Sequence, residues 1–224
     1  MKTKRITLFA GHYGSGKTNV AVNFARYLRA DGNQVAIADL DIVNPYFRTK
    51  DSAEELAAEG IELVVSEFAN SNVDFPAMPK EVYSLMAERG RKVVMDVGGD
   101  DRGALALGRY VPDIREEGDY EMLAVVNAFR PLTRDAASTV EVLREIEQAA
   151  ALPFTGIVNN TNLGRETRPD DVLASLAYAR RVAQAMALPV RFTCVAERLA
   201  PALEGKVENL FPLRLQRLGR RLGV

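Results

Sequence analysis

The sequence is poor in the residues that build disulfides and many metal sites: it contains one cysteine, Cys194, and one histidine, His12. A single cysteine cannot form a disulfide within the chain, and metal sites made of several cysteines or histidines are excluded. No apolar run approaches the roughly 18 residues that a membrane-spanning helix needs. The apolar stretch Ile6–Ala10, after the basic N-terminus, is too short for the core of a signal peptide. We therefore expect a cytoplasmic protein.

Neither sign of charge is in excess. Lys and Arg number 29 and Asp and Glu number 30, which gives a net charge of −1. A protein that binds nucleic acids without specificity is more basic than this, so the sequence carries no strong nucleic-acid signal. The hydrophobic fraction of 47% and the charged fraction of 26% are ordinary for a folded globular protein. The length suits a single domain, which we expect to span residues 1–224.

Short apolar runs alternate with helical patterns along the whole chain. Most runs are continuously apolar, which is typical of strands buried on both faces. Strands that alternate with helices predict a mainly parallel sheet. We therefore expect an α/β fold, a three-layer domain with about seven strands, and helix stops at Gly32, Gly60 and Gly90. The predicted strands are Ile6–Ala10, Val35–Ala38, Ile61–Val65, Lys92–Val97, Met122–Asn127, Thr155–Asn160 and Val190–Val195.

Residues 11–18 fit the phosphate-binding pattern G-x-x-x-x-G-K-[ST]. Glycines in such a loop let successive N–H groups point at phosphate oxygens, and the following helix adds its positive end. Lys17 would supply positive charge to the β- and γ-phosphates, and the Thr18 hydroxyl would bind Mg²⁺. The alternative is a plain glycine turn between a strand and a helix. The candidate nucleotide-binding residues are Gly11, His12, Tyr13, Gly14, Ser15, Gly16, Lys17 and Thr18.

Acidic residues follow two of the predicted strands. Asp96 ends the fourth strand, where a carboxylate that orders magnesium belongs, and the D-x-x-G spacing to Gly99 lets a backbone N–H meet a γ-phosphate. Asp39 and Asp41 end the second strand, and alternation puts both carboxylates on one side of it. We expect Asp39 to hold metal-bound water and Asp41 to orient the attacking water. The alternative is a set of solvated carboxylates in turns.

These motifs resemble the MinD/ParA/CobQ-type P-loop ATPases of the SIMIBI class. The resemblance covers nearly the full chain, from the phosphate loop through the D-x-D and Asp96 to the late strand Gly156–Asn160. It implies Mg-ATP as ligand, ATP hydrolysis as activity and a homodimer as a possible assembly. It also implies that Asn160 contacts the adenine, with Asn159 as a close competitor. Guanine-specific relatives use N-K-x-D; residues 159–162 lack its Lys and Asp, so ATP is favoured.

One departure from the family pattern divides the functional hypotheses. The ParA/MinD loop is G-K-G-G-x-G-K-T, and its first lysine crosses a dimer interface; His12 stands at that position here. Dethiobiotin synthetases and cobyrinic acid amidating enzymes also lack that lysine, and they use ATP to phosphorylate a substrate carboxylate. We expect a nucleotide-switched dimer acting on a protein partner. The alternatives are an ATP-dependent ligase for a small carboxylate, or an assembly factor with negligible turnover.

Further polar residues lie at predicted carboxyl ends of strands, where ligands bind in open α/β sheets. Arg48 follows the D-x-D, and Arg130 follows the fifth strand; each is a candidate for contact with a substrate or a partner. Asp100 and Asp101 would hold a second metal or form a solvated loop.

The C-terminal segment 211–224 predicts a basic amphipathic helix. Its apolar residues share one narrow face, and residues 213–224 carry a charge of +4. Such a helix would dock on the domain, contact a partner or, less in keeping with its few bulky residues, lie on an anionic membrane. The apolar positions are Phe211, Leu215, Leu218 and Leu222.

Overall fold

Eight strands form one sheet in which every neighbouring pair is parallel. The computed structural model describes residues 1–41, 53–65, 80–99, 104 and 107–215. The strands are Ile6–Ala10 (β1), Val35–Leu40 (β2), Ile61–Val65 (β3), Lys92–Val97 (β4), Tyr120–Val126 (β5), Gly156–Asn159 (β6), Val190–Ala196 (β7) and Leu210–Leu213 (β8). Their order across the sheet is β3-β2-β4-β1-β5-β6-β7-β8.

Helices cover both faces of the sheet, which confirms the predicted three-layer α/β fold. Their bounds are Lys17–Ala30 (α1), Ala53–Ala58 (α2), Lys80–Ala87 (α3), Val111–Glu117 (α4), Ala136–Ala150 (α5), Pro169–Met186 (α6) and Ala200–Leu203 (α7). The first three end two or three residues before the predicted stops at Gly32, Gly60 and Gly90. No helix within the described ranges is long and apolar enough to cross a membrane.

Alternation along β1 divides the core into two layers. Leu8 packs with the buried side chains of α3, α4, α5 and α6 on one face. Phe9 packs with those of α1 and α2 on the other. Strands that are apolar on both faces are therefore explained by helices on both faces.

The sequence-based prediction is wrong at the start of the C-terminal segment. Leu210–Leu213 is an eighth strand at the sheet edge, and Phe211 pairs with Cys194 of β7. Phe211 and Leu213 are both buried, with exposed fractions of 6% and 3%. The reason is periodicity: these apolar residues lie two apart, as in a strand, whereas the helix prediction used the four-residue spacing from Phe211 to Leu215. Residues 216–224 lie outside the described part of the chain.

An asparagine from α1 fixes the end of β8. The side-chain Nδ2 of Asn23 donates to the Arg214 carbonyl oxygen at 3.0 Å, and the Arg214 N–H donates to Asn23 Oδ1 at 2.9 Å. The amide thus pairs with the backbone much as a neighbouring strand would. This contact joins the last described residues to the helix that begins at the phosphate loop.

Phe24 is the centre of an aromatic cluster that joins α1 to the sheet. Its ring centroid lies 5.3 Å from that of Phe9, 6.1 Å from that of Phe192 and 6.2 Å from that of Phe211. The cluster connects β1, β7 and β8 beneath α1 and so supports the helix whose first turn forms the site.

We expect Phe24→Ala to lower the free energy of unfolding by about 3–5 kcal/mol, because a fully buried ring leaves a cavity. The control is Phe129→Ala, since Phe129 is 40% exposed; it should cost less than about 1 kcal/mol. Urea denaturation followed by circular dichroism measures both. Equal losses for the two variants would contradict the central role of Phe24.

Candidate functional site

The loop between β1 and α1 depends on glycines for its backbone conformation and its close packing. Gly11 and Gly16 have φ values of +147° and +90°, which favour glycine. A Cβ atom at Gly11 would lie 2.4 Å from the carbonyl oxygen of Val125, and one at Gly16 would lie 2.4 Å from Nδ2 of Asn160. Gly16 also caps α1, so the backbone curls directly into a helix start, where N–H groups favour anions. This is the geometry that a phosphate-binding loop requires.

Lys17 and Gly99 lie against this loop. Lys17 is buried, and its Nζ donates to the carbonyl oxygen of His12 at 3.4 Å. A Cβ atom at Gly99 would lie 2.7 Å from Lys17 Nζ and 2.8 Å from the backbone nitrogen of Tyr13. The D-x-x-G segment at the end of β4 therefore lies against the loop, and contact of its backbone N–H with a γ-phosphate stays a prediction.

The parallel sheet brings the predicted acidic residues together. Asp39 and Asp96 are register partners on β2 and β4. Thr18 Oγ1 donates to Asp96 Oδ2 at 2.6 Å, which joins the first turn of α1 to this carboxylate pair. Asp41 lies just beyond the end of β2, and its backbone N–H donates to Asp39 Oδ1 at 3.0 Å. The site thus contains three carboxylates close to one lysine, Lys17.

The environment of Asp96 disfavours its negative charge. Burial, and then the neighbouring charge of Asp39, raise the pKa of Asp96 to about 8; Lys17 and the hydrogen bond from Thr18 act in the opposite direction. Asp96 Oδ1 is buried and has no hydrogen-bond partner among the described residues. An unsatisfied buried carboxylate oxygen is a ready ligand for a cation.

The oxygen donors present fit Mg²⁺. In the described part of the chain no group of three or more His, Cys, Asp or Glu side chains converges as a dedicated metal site. Mg²⁺ does not need one, because it is commonly held by one or two carboxylates together with phosphate oxygens and water. Thr18, Asp96 and Asp39 supply donors of that kind beside the phosphate loop.

Asn160 braces the loop. Its Nδ2 donates to the carbonyl oxygen of Ser15 at 2.7 Å, and its side chain is almost fully buried. Asn162 in turn donates from Nδ2 to the Asn160 carbonyl oxygen at 2.7 Å. Contact of Asn160 with adenine stays a prediction. Asn159, the competitor, is wholly buried and donates to Ser175 Oγ, which is a structural role.

A narrow crevice opens beside Asn160, between the carboxyl ends of β6, β7 and β8. Burial raises the pKa of the Cys194 thiol in its wall well above the usual value, so this cysteine is an apolar wall residue rather than a reactive thiol. No carboxylate is present among the described residues that line it. They are Asn160, Thr161, Asn162, Gly164, Thr167, Val172, Cys194, Val195, Ala196, Leu213 and Leu215.

One contact of the loop, and one residue that supports it, escaped the sequence analysis. Arg130 Nε donates to the carbonyl oxygen of Gly14 at 2.7 Å, and contact of Arg130 with a substrate or a partner stays a prediction. Asn127 orders the turn that carries Arg130, with Oδ1 accepting from the Phe129 N–H at 3.0 Å. The signal available for Asn127 was its place at the end of the fifth strand. Arg48, Asp100 and Asp101 lie outside the described residues.

Exposed apolar side chains lie on the phosphate loop and on the loops that follow β5 and β6. The structure describes six large hydrophobic residues as exposed, and four of them lie after β1, β5 and β6, which are neighbours in the sheet. We call these four the carboxyl-edge patch: Tyr13 (53% exposed), Phe129 (40%), Leu132 (58%) and Leu163 (47%). His12, beside Tyr13, has its Nδ1 2.9 Å from the Tyr13 carbonyl oxygen.

A glycine-lined loop between a buried strand and a helix, with lysine, threonine and strand-end aspartate around it, defines a P-loop NTPase. The profile of the CobQ/CobB/MinD/ParA nucleotide binding domain matches residues 6–198, which is most of the chain. The chain therefore belongs to this family, in the SIMIBI class. The resemblance seen in the motifs is confirmed. Among curated proteins, none matches the chain.

Solved structures of the same class share the fold. FtsY from Mycoplasma mycoides superposes with a TM-score of 0.58 at 16% identity, over 88% of this chain and 62% of that one. FtsY from Thermotoga maritima gives 0.57 at 19%, over 86% and 62%. The signal recognition particle 54 kDa protein from Aeropyrum pernix K1, in complex with GDP, gives 0.55 at 19%, over 86% and 41%. The chain thus spans 41–62% of the length of these proteins.

Two glycines that flank β4 give a test of the site geometry. We expect Gly99→Ala to weaken nucleotide binding by about tenfold or more, because its Cβ would displace Lys17 Nζ or the Tyr13 backbone. Gly90→Ala is the control, since a Cβ there meets no atom within 4 Å. Titration with a fluorescent nucleotide compares them. Wild-type affinity in Gly99→Ala would contradict the close approach of the two loops.

Proposed function

We propose that the protein is a Mg-ATP-dependent ATPase that dimerises around its nucleotide and acts on a protein partner. The observation that carries the nucleotide part is the hydrogen bond between Thr18 and Asp96, which joins the phosphate loop to the buried carboxylate pair of Asp39 and Asp96. That arrangement suits the terminal phosphates of a nucleotide with a divalent cation between loop and carboxylates.

Each residue has a defined role in this proposal. The loop 11–18 cradles the phosphates, and Lys17 neutralises charge that develops on the transferred phosphoryl group. Thr18, Asp96 and Asp39 hold magnesium directly or through water. With these residues holding it, magnesium would supply positive charge that offsets part of the phosphate charge. Asp41 accepts a hydrogen bond from the attacking water and orients it toward the γ-phosphate.

Residues 159–162, which lack the Lys and Asp of N-K-x-D, favour adenine over guanine, and so does the lining of the crevice beside Asn160, although the crevice itself is too narrow to enclose a base. Guanine presents N–H donors on its Watson–Crick edge and is usually read by a carboxylate, and the described lining residues include none. The wall combines polar side chains such as Thr161 and Thr167 with apolar ones such as Val195 and Ala196. We therefore do not infer that this chain binds GDP, although the Aeropyrum pernix protein is in complex with it.

The carboxyl-edge patch supports contact with another protein molecule. Exposed apolar side chains that cluster on adjacent loops are typical of protein interaction surfaces. Tyr13 belongs to the phosphate loop itself, so a change in the conformation of the loop would also change this surface. A second copy of the chain, held against the bound nucleotide, would cover this patch and complete the switch.

We expect Lys17→Ala to weaken Mg-ATP binding by at least about tenfold, since it removes a charge-assisted hydrogen bond to phosphate. The matched control is Lys4→Ala. Lys4 is half exposed and pairs with Asp119 where β1 and β5 begin, at the end of the strands remote from the phosphate loop. Isothermal titration calorimetry measures both. Undiminished ATP binding in Lys17→Ala would contradict the nucleotide site.

We expect Asp41→Ala to retain ATP without hydrolysing it, because Asp41 orients the attacking water in the proposal. Light scattering should then give a dimer with Mg-ATP and a monomer with Mg-ADP. Lys17→Ala, which binds nucleotide more weakly, should stay monomeric in both at nucleotide concentrations too low to saturate it. An unchanged mass in a sample with confirmed ATP binding would contradict the switch and favour the ATP-dependent ligase acting on a small carboxylate.

A further inference from the structure

Arg130 lies directly on the phosphate loop. Its Nε donates to the Gly14 carbonyl oxygen at 2.7 Å. A Cβ atom on Gly14 would lie 3.5 Å from Arg130 Nε and 3.8 Å from Cζ, so the guanidinium group lies over this glycine in van der Waals contact. The side chain is nevertheless exposed to solvent. The positively charged guanidinium group is therefore held beside the phosphate loop, at the solvent-exposed surface.

The backbone of Arg130 is fixed by a hydrogen-bonded turn. Its N–H donates to the Asn127 carbonyl oxygen at 3.2 Å, and its own carbonyl oxygen accepts from the Thr133 N–H at 3.0 Å. Thr133 Oγ1 also donates to the Asn127 carbonyl oxygen at 2.8 Å. With the backbone and Nε both held, the guanidinium group loses little further freedom when it binds an anion.

The terminal nitrogens of Arg130 remain available. Within the described part of the chain, Nη1 and Nη2 form no hydrogen bond and no ion pair, so the contact of Nε with Gly14 leaves the other four N–H donors of the group to solvent. An arginine that only braced the loop would need no more than Nε. Planar guanidinium donors of this kind match phosphate oxygens.

The charge balance of the site calls for another cation. Three carboxylates, those of Asp39, Asp41 and Asp96, lie near the loop and one lysine, Lys17, is close to them. A nucleoside triphosphate adds several negative charges to this group. A bound divalent cation offsets part of that excess, and a second fixed positive charge on the other side of the loop reduces it further.

We propose that Arg130 is a further phosphate-binding residue, tethered to Gly14 through Nε and giving its terminal N–H groups to the phosphate chain of the nucleotide held by the same subunit. The inference rests on the proposed function, since it needs a nucleotide in the loop 11–18. It gives Arg130 a role in cis that is independent of any partner molecule or second substrate.

The test compares Arg130→Ala, Arg130→Lys and Arg134→Ala by calorimetric titration of the full chain with Mg-ATPγS at low and high salt. Arg134 is the matched control, because it lies four residues further on and is 79% exposed at its side chain. We expect Arg130→Ala to bind about tenfold more weakly at low salt, Arg130→Lys to recover part of the loss through its charge, and Arg134→Ala to match the wild type. Salt should shrink the difference between wild type and Arg130→Ala, because the lost contact is electrostatic.

Two results would overturn the assignment. Wild-type affinity in Arg130→Ala would show that the side chain does not meet the nucleotide. A loss that is equal at about 0.05 M and about 0.5 M salt, and that Arg130→Lys does not recover, would make Arg130 a mechanical brace of Gly14 only. If the wild-type chain itself binds neither Mg-ATPγS nor Mg-ADP, the proposed function fails, and the role of Arg130 fails with it.

Discussion

The parallel pairing of β1 with β4 on one side and β5 on the other is the constraint on which the site depends. Parallel strands end at a common edge, so the loops that follow these three strands must meet. Gly99 from the β4 side and Arg130 from the β5 side reach the phosphate loop from opposite directions. Each contact joins residues more than 80 positions apart in sequence, and the sheet register alone brings them together.

The phosphate loop is held by close contacts at Gly11 and Gly16 that leave no room for a side chain at either position. The Val125 carbonyl oxygen closes on Gly11, and the Asn160 amide closes on Gly16 while it donates to the Ser15 carbonyl oxygen. The Ser15 carbonyl oxygen is satisfied in this way, and the Ser15 N–H closes a turn inside the loop by donating to the His12 carbonyl oxygen at 3.1 Å. The same contacts make the loop rigid before a ligand arrives, which reduces the ordering cost of binding.

Much of this structure could be predicted from the sequence because it rests on local patterns. Continuous apolar runs identified seven of the eight strands, and the G-x-x-x-x-G-K-[ST] spacing located the loop. The eighth strand was mistaken for a helix, since Phe211, Leu213 and Leu215 satisfy a two-residue period and part of a four-residue one. The pairing of Asn23 with Arg214 and the contact of Arg130 with Gly14 join residues 191 and 116 positions apart, and no local pattern encodes them.

The charges of the site link metal binding to nucleotide binding. Asp39 and Asp96 are paired on adjacent strands and buried, and the charge of Asp39 adds to burial in raising the pKa of Asp96. A cation would relieve that repulsion, but the described side chains alone do not form a complete metal cage. Phosphate oxygens would supply the missing ligands, and the cation would in turn shield the phosphates from the carboxylates. In the proposed function, metal and nucleotide would therefore favour each other's binding, and loss of the terminal phosphate would weaken both. Tyr13 lies on the phosphate loop and is exposed, so such a change would reach the carboxyl-edge patch through it.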